Sequence, residues 1–137
     1  MSDRPVFAHR LTVRFRDCDL MGHVNNSVYF TYLEQARLDW WRHLGGILTD
    51  PLATTIVARA ECDFRAPAFL DDTLEIHVTP GPIGRSSFVI EYEIANVASG
   101  QRIAQARTVS VSVNPETHRP IPVPDAWRAM FAGSALP

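Results

Sequence analysis

One segment of helical period, followed by nothing but strand period, is the pattern that most constrains this chain. From Asn26 onward, Tyr29, Tyr32, Leu33, Ala36 and Trp40 recur at helical spacing. Val28, Phe30 and Trp41 add apolar surface on the other sides. A helix that is apolar round much of its circumference is wrapped by other elements rather than laid on a surface. Asn25 or Asn26 can cap its start, and Gly45-Gly46 ends it after Leu44.

The flanking segments read as strands. Val6 to Phe15 leads into the helix. After Pro51, Thr54 to Phe64 alternates, with Ile56, Ala58, Ala60, Cys62 and Phe64 on one face. Leu74, Ile76 and Val78 alternate next, and Pro80-Gly81-Pro82 turns the chain. Phe88, Ile90, Tyr92 and Ile94 follow, with a turn at Ser99-Gly100. Ile103 to Val113 is the last long strand, with Val109, Val111 and Val113 on one face. Short turns between consecutive strands predict an antiparallel meander. Asn114-Pro115 ends it, prolines 120, 122 and 124 make an extended tail, and Asp125 to Phe131 can form a short helix. The class is α+β, one helix against one sheet. That leaves a sheet face and two edges to be covered, by a second subunit or by loops.

The 137 residues suffice for a single domain, 1–137, with a real core. A net charge of -2 excludes an electrostatic nucleic-acid or anionic-membrane binder. All thirteen basic side chains are Arg, so any basic contact to an anion uses Arg or His. No apolar run reaches the ~20 residues of a membrane span. Met1 to Arg10 lacks the apolar stretch of a signal peptide. Cys18 and Cys62 form neither a disulfide framework nor a zinc spacing. These features lead to the expectation of a cytoplasmic protein with no cofactor, no metal and no membrane or nucleic-acid partner.

Between the first strand and the helix lies Arg16-Asp17-Cys18-Asp19-Leu20-Met21-Gly22-His23-Val24-Asn25-Asn26. Two carboxylates, a glycine, a histidine and two asparagines share this turn. Such groups cost stability in a small domain unless they are paired or used. Together with Val13-Arg14-Phe15, Tyr29 and Tyr32-Leu33-Glu34-Gln35-Ala36-Arg37, the turn resembles the hotdog-fold thioesterases of the 4-hydroxybenzoyl-CoA thioesterase family. Phe64-Arg65-Ala66-Pro67 ahead of Asp71-Asp72-Thr73-Leu74, and Gly84-Arg85-Ser86-Ser87-Phe88, extend the resemblance in register over roughly residues 8 to 128. It implies a hotdog fold: one long central helix wrapped by a bent antiparallel sheet of about five strands. It also implies homodimers joined edge to edge, often paired into homotetramers, with active sites at the dimer interface.

The resemblance places the catalytic carboxylate at Asp19. Thioester hydrolysis needs a nucleophile and a donor for the developing oxyanion, because the thiol leaves readily. Asp19 could attack the carbonyl to give a mixed anhydride, or could orient and deprotonate water. The oxyanion donor implied is the backbone N–H of Asn26, with Val24 and Asn25 as neighbours. Gly22 lets the backbone turn tightly near the substrate. His23 resembles a histidine of the plant acyl-carrier-protein thioesterases, but Met21 stands where their network has Asn. His23 is therefore read as a partner of Asp19, a contact to the substrate carbonyl, or a residue that fixes the loop. Arg85, with Ser86 and Ser87, is the first choice for the coenzyme A anions. Asp17 reads as scaffold, paired with Arg14 or Arg16, and Glu34 as an ion-pair partner of Arg37. The expected activity is hydrolysis of an acyl-CoA to free acid and coenzyme A. The alternatives are an acyl-acyl-carrier-protein thioesterase and a non-catalytic acyl-CoA-binding module.

Overall fold

The structure, a computed structural model, describes residues 7–45 and 54–135. Val6, Gly46 and Pro51, to which the sequence pattern assigned a strand start, a helix stop and a break, lie outside the described residues.

Strand β1 covers Phe7–Thr12, helix α1 Val28–His43, strand β2 Thr54–Phe64, β3 Thr73–Ile83, β4 Ser87–Asn96, β5 Arg102–Val113 and helix α2 Asp125–Ala135. All pairings are antiparallel, in the order β1-β3-β4-β5-β2. Strands β3, β4 and β5 form the expected meander. β2 does not join it in sequence order; it crosses to the far side of β5 and becomes an edge.

Helix α1 buries Tyr29, Tyr32, Leu33, Ala36 and Trp40, the face its spacing marks out, and also Trp41 from beyond that face, while Phe30 stays exposed, so the helix is covered on less of its circumference than its apolar content suggests. Facing it are Leu74, Ile76 and Val78 of β3 and Phe88, Ile90, Tyr92 and Ile94 of β4, all fully buried. Burial of side chains this large contributes ~1.5–3 kcal/mol each. Helix α2 closes one end of the core. Its Phe131 ring stacks on Trp40 with centroids 5.2 Å apart, and both Phe131 and Trp127 lie against Phe88.

Several details differ from the sequence pattern, each for a local reason. The first strand ends at Thr12, and Phe15–Asp17 coils into a 3-10 turn instead. Pro80-Gly81-Pro82 does not turn the chain. β3 runs through it to Ile83 with an irregular register, because a proline cannot donate to the ladder but can sit at a bulge. The turn itself falls at Gly84–Ser86. Ile56 leaves the face of Ala60, Cys62 and Phe64, because a bulge between Val57 and Arg59 inserts one residue and flips the strand before it. In β5 the interior face carries Ala104, Ala106, Thr108, Ser110 and Ser112, while Val109 and Val111 point the other way. Tyr92 stands beside Ala106 and Phe88 beside Ser110 in the register, so their rings fill the space in front of β5. The Tyr92 hydroxyl is also held there, 3.1 Å from an Arg37 guanidinium nitrogen and 2.8 Å from Thr108 Oγ1. Arg37 therefore points inward and is not the ion-pair partner of Glu34.

Candidate active site

The polar turn folds as a short hairpin whose two arms, 17–19 and 23–25, are stitched through the main chain. The Asp19 N–H donates to the His23 carbonyl at 3.0 Å, and the Asn25 N–H to the Asp17 carbonyl at 3.0 Å. Cys18 and Val24 pair between them. Gly22 makes the bend, with φ +86, a value that L side chains rarely adopt, and nothing lies within 4 Å of where a Cβ would stand. The hairpin rests on the segment ahead of β3, where the Ala68 carbonyl accepts the Val24 N–H at 2.9 Å and His23 pairs with Phe69.

Asp19 sits in the exposed bend. Its Oδ1 accepts the Met21 N–H at 2.9 Å, while Oδ2 has no partner among the described residues. One carboxylate oxygen is thus anchored and the other is available. Around it, Phe15, Arg16, Cys18, Leu20, Gly22 and Leu70 line a groove of about 500 Å³. Leu20 and Phe15 are fully or largely exposed there, an uncommon setting for apolar side chains beside a carboxylate. The sequence pattern did not single these two out, although two apolar residues inside so polar a turn were the available signal.

Of the three main-chain donors considered, two are committed. The Val24 N–H serves the Ala68 carbonyl and the Asn25 N–H serves the Asp17 carbonyl. The Asn26 N–H has no acceptor among the described residues. It lies just ahead of helix α1, where main-chain N–H groups face outward and the helix dipole favours negative charge. The helix begins one residue later than the capping pattern suggested. Ser27 takes the N-cap position but its hydroxyl does not cap the helix; Asn25 Oδ1 accepts the Ser27 N–H and hydroxyl at 2.9 and 2.7 Å.

The His23 ring does not bond the Asp19 carboxylate; it packs edge-on against Phe69, centroids 6.0 Å apart. Asp17 is buried and paired with Arg14, not Arg16. Its carboxylate accepts the Arg14 N–H at 2.9 Å, an Arg14 guanidinium nitrogen at 3.0 Å and the Tyr32 hydroxyl at 2.7 Å. Burial pushes this carboxyl up, but the bonds from Arg14 and Tyr32 outweigh burial and hold it below the ordinary carboxylate range. Burial, followed by donation to Asp17, pushes the Tyr32 phenol up, which keeps it a donor.

Arg85 and Ser86 lie on the β3–β4 turn and Ser87 opens β4, far from Asp19. The hairpin adjoins the Thr73 end of β3 and the turn follows its Ile83 end. At ~3.3 Å per residue these ends are roughly 30 Å of strand apart. Arg128 holds that turn from α2, bonding the carbonyls of Gly84 and Arg85 at 2.6 and 3.1 Å. A second depression of about 480 Å³ opens on the opposite sheet face, lined in part by Glu61, Asp63, His77, Glu91, Glu93 and Arg107. Its predominantly acidic wall repels phosphates, so it is a poor seat for coenzyme A. Among the described residues, no cluster of three or more His, Cys, Asp or Glu is placed to hold a metal ion. No helix among them is long and apolar enough to cross a membrane.

A helix on a five-stranded antiparallel sheet, with a carboxylate hairpin at the helix start, defines a class. The chain belongs to the Thioesterase-like superfamily, whose family model matches residues 13–131. It is 32% identical over 123 residues to a 1,4-dihydroxy-2-naphthoyl-CoA hydrolase of Gloeothece citriformis, covering 83% of both chains. It is 28% identical over 130 residues to the acyl-CoA thioester hydrolase YbgC of Escherichia coli, covering 92% of this chain and 96% of the relative. The fold matches the crystal structure of Slr0204, a 1,4-dihydroxy-2-naphthoyl-CoA thioesterase from Synechocystis, with TM-score 0.85 and 24% identity. That match covers 97% of this chain and 100% of the other. These relationships place the chain among the thioester hydrolases and its fold among their hotdog structures.

Proposed function

We propose that this enzyme hydrolyses acyl-CoA thioesters to a free acid and coenzyme A, with Asp19 as the reacting carboxylate and the Asn26 N–H as oxyanion donor. The observation that carries the reading is that two groups of this segment, Asp19 Oδ2 on the hairpin and the Asn26 N–H that follows it, have no partner among the described residues. With a thioester carbonyl oxygen on the Asn26 N–H, negative charge forming there is met by a fixed donor and the helix N-terminus. Asp19 Oδ2 either attacks the carbonyl carbon or removes a proton from the attacking water, and the thiolate of coenzyme A departs; in the first case water then opens the mixed anhydride, releasing the free acid and restoring the Asp19 carboxylate. The Met21 N–H holds the other oxygen still in both cases. The apolar groove walls, Phe15, Leu20 and Leu70, suit an apolar or aromatic acyl group. The relatives' named aromatic and acyl-CoA substrates support the same class.

The same reading makes the working unit a homodimer, or a homotetramer built from it, in the cytoplasm. β2 is an eleven-residue edge strand with Ile56, Val57 and Phe64 all more than 40% exposed. Long apolar edges of this kind pair or aggregate unless covered. A two-fold pairing along β2 reverses the strand ends of the second copy. The partner's Arg85, with Ser86 and Ser87, then lies at the same end of the joined sheet as Asp19, where a phosphate contact is useful. Gly22, Val24 and Asn25 shape the substrate's approach through the backbone.

A panel of short, long, branched and aromatic acyl-CoA thioesters, with thiol release followed, tests the activity. Enzyme-dependent release from at least one class is expected. Saturable binding of acyl-CoA with no release would assign a binding module instead. Release from acyl-carrier-protein thioesters alone would move the substrate class.

A further inference from the structure

We propose that Tyr32 is a positioning residue for the reaction. Its hydroxyl, acting through the Asp17 carboxylate, holds the Asp19 hairpin in register with the start of helix α1. The inference rests on Asp19 being the reacting carboxylate.

Tyr32 and Asp17 are respectively 2% and 3% exposed, and the hydroxyl lies 2.7 Å from Asp17 Oδ2. A phenylalanine would fill the same space in the core, where the ring meets Tyr29 edge-on with centroids 5.9 Å apart. What the hydroxyl adds is a single bond to one carboxylate. That carboxylate belongs to the residue on which both arms of the site converge. Asp17 lies two residues before Asp19 on one arm. Its carbonyl accepts the N–H of Asn25, the residue before Asn26, on the other. Its own N–H donates to the Arg14 carbonyl at 3.0 Å, closing the 3-10 turn that sets the direction of the hairpin.

Two side chains hold Asp17, and they differ in setting. The Arg14 side chain is 58% exposed, so water and salt screen its ion pair. It also belongs to the same turn, so it cannot fix that turn against the rest of the molecule. Tyr32 is anchored in helix α1, one turn beyond the start at which Asn26 presents its N–H. The Tyr32–Asp17 bond is thus the buried side-chain tie between the carboxylate arm and the helix. A charge-assisted bond of this kind is among the stronger ones in proteins. Losing it leaves the Asp19 and Asn26 groups present but less well aligned, and small misplacements at a reacting centre are costly in rate.

The test is a set of four variants assayed with the acyl-CoA that the panel identifies: Tyr32→Phe, Asp17→Asn, their double, and Asp19→Asn. Tyr32→Phe is expected to lower kcat about tenfold with KM changed less than twofold, while thermal melting stays cooperative. The double variant is expected to lose no more kcat than Asp17→Asn alone, as non-additivity requires of a residue that acts through another. Unchanged kcat in Tyr32→Phe, or a rise in KM alone, overturns the inference, as does full additivity in the double. Should Asp17→Asn fail to fold, the kcat–KM split of Tyr32→Phe decides. Asp19→Asn separates the two readings. If it retains hydrolysis, the assignment of Asp19 fails; if it loses hydrolysis while Tyr32→Phe keeps it, only the positioning role fails.

Discussion

Asp19 and His23 meet through their main chains, N–H to carbonyl at 3.0 Å, and not through their side chains. The imidazole instead lies edge-on to Phe69. This geometry favours a supporting role for His23 over a chemical one. Exchange to Gln is expected to reduce kcat/KM by less than about fivefold, corresponding to ~1 kcal/mol. Steady-state kinetics on His23→Gln checks this. A loss of two orders of magnitude would make the imidazole a participant in the chemistry.

The proposed oxyanion donor at Asn26 is a main-chain N–H, so side chain and backbone should separate. Asn26→Ala is expected to keep activity within about threefold. Replacing the amide of residue 26 by an ester, which puts an oxygen in place of the N–H and weakens only the Asn25 carbonyl that accepts the Val28 N–H, should cost ~2.7–4 kcal/mol of barrier, or ~10²–10³ in kcat. Single-turnover rates of the two proteins give the comparison. An ester variant as fast as the parent would remove Asn26 from the mechanism.

Asp17 predicts an acid sensitivity of known sign. Its folded-state pKa lies below the ordinary value, so it contributes stability above about pH 4. That contribution is lost as pH falls through the lowered folded value. Urea midpoints measured between about pH 2 and 6 should fall with acid in the parent and fall less steeply in Asp17→Asn. Parallel profiles would show that Asp17 carries no such linkage.

Much of the fold was legible in the sequence because its signal is local. The helical spacing of Tyr29, Tyr32, Leu33, Ala36 and Trp40 reports burial, and the alternation from Leu74 to Ile94 reports a half-buried sheet. What was illegible depends on partners far along the chain. Nothing around Thr54 says that β2 pairs with β5 rather than β3, and the bulge at Val57 is a register event between strands. The inward Ser110 and Ala106 of β5 become legible only once Phe88 and Tyr92 are known to be their register neighbours. At the site, the polar hairpin announced itself and the sequence already favoured the Asn26 N–H, but that the Val24 and Asn25 N–H groups are bonded elsewhere depends on Ala68 and on the hairpin's own pairing. Likewise Tyr32 read as a core aromatic, since spacing reports the ring and not the bond its hydroxyl makes.

Helix α2 was only a short possibility in sequence, yet its rings close the core. Phe131, stacked on Trp40 and 5.0 Å from Phe88, is 1% exposed. Phe131→Ala is expected to destabilise the protein by ~3–5 kcal/mol through lost burial and the cavity left behind. Equilibrium urea unfolding measures it. A loss below about 1 kcal/mol would mean that α2 is not part of the cooperative core.

The proposed hydrolysis turns on the carboxylate of Asp19, and Asp19→Asn probes it with the least disturbance, since the amide keeps the size and an oxygen for the Met21 N–H. Thiol release from the best acyl-CoA of the panel should fall at least a hundredfold, with the melting temperature unchanged. Turnover within a few fold of the parent in a folded Asp19→Asn enzyme would contradict it.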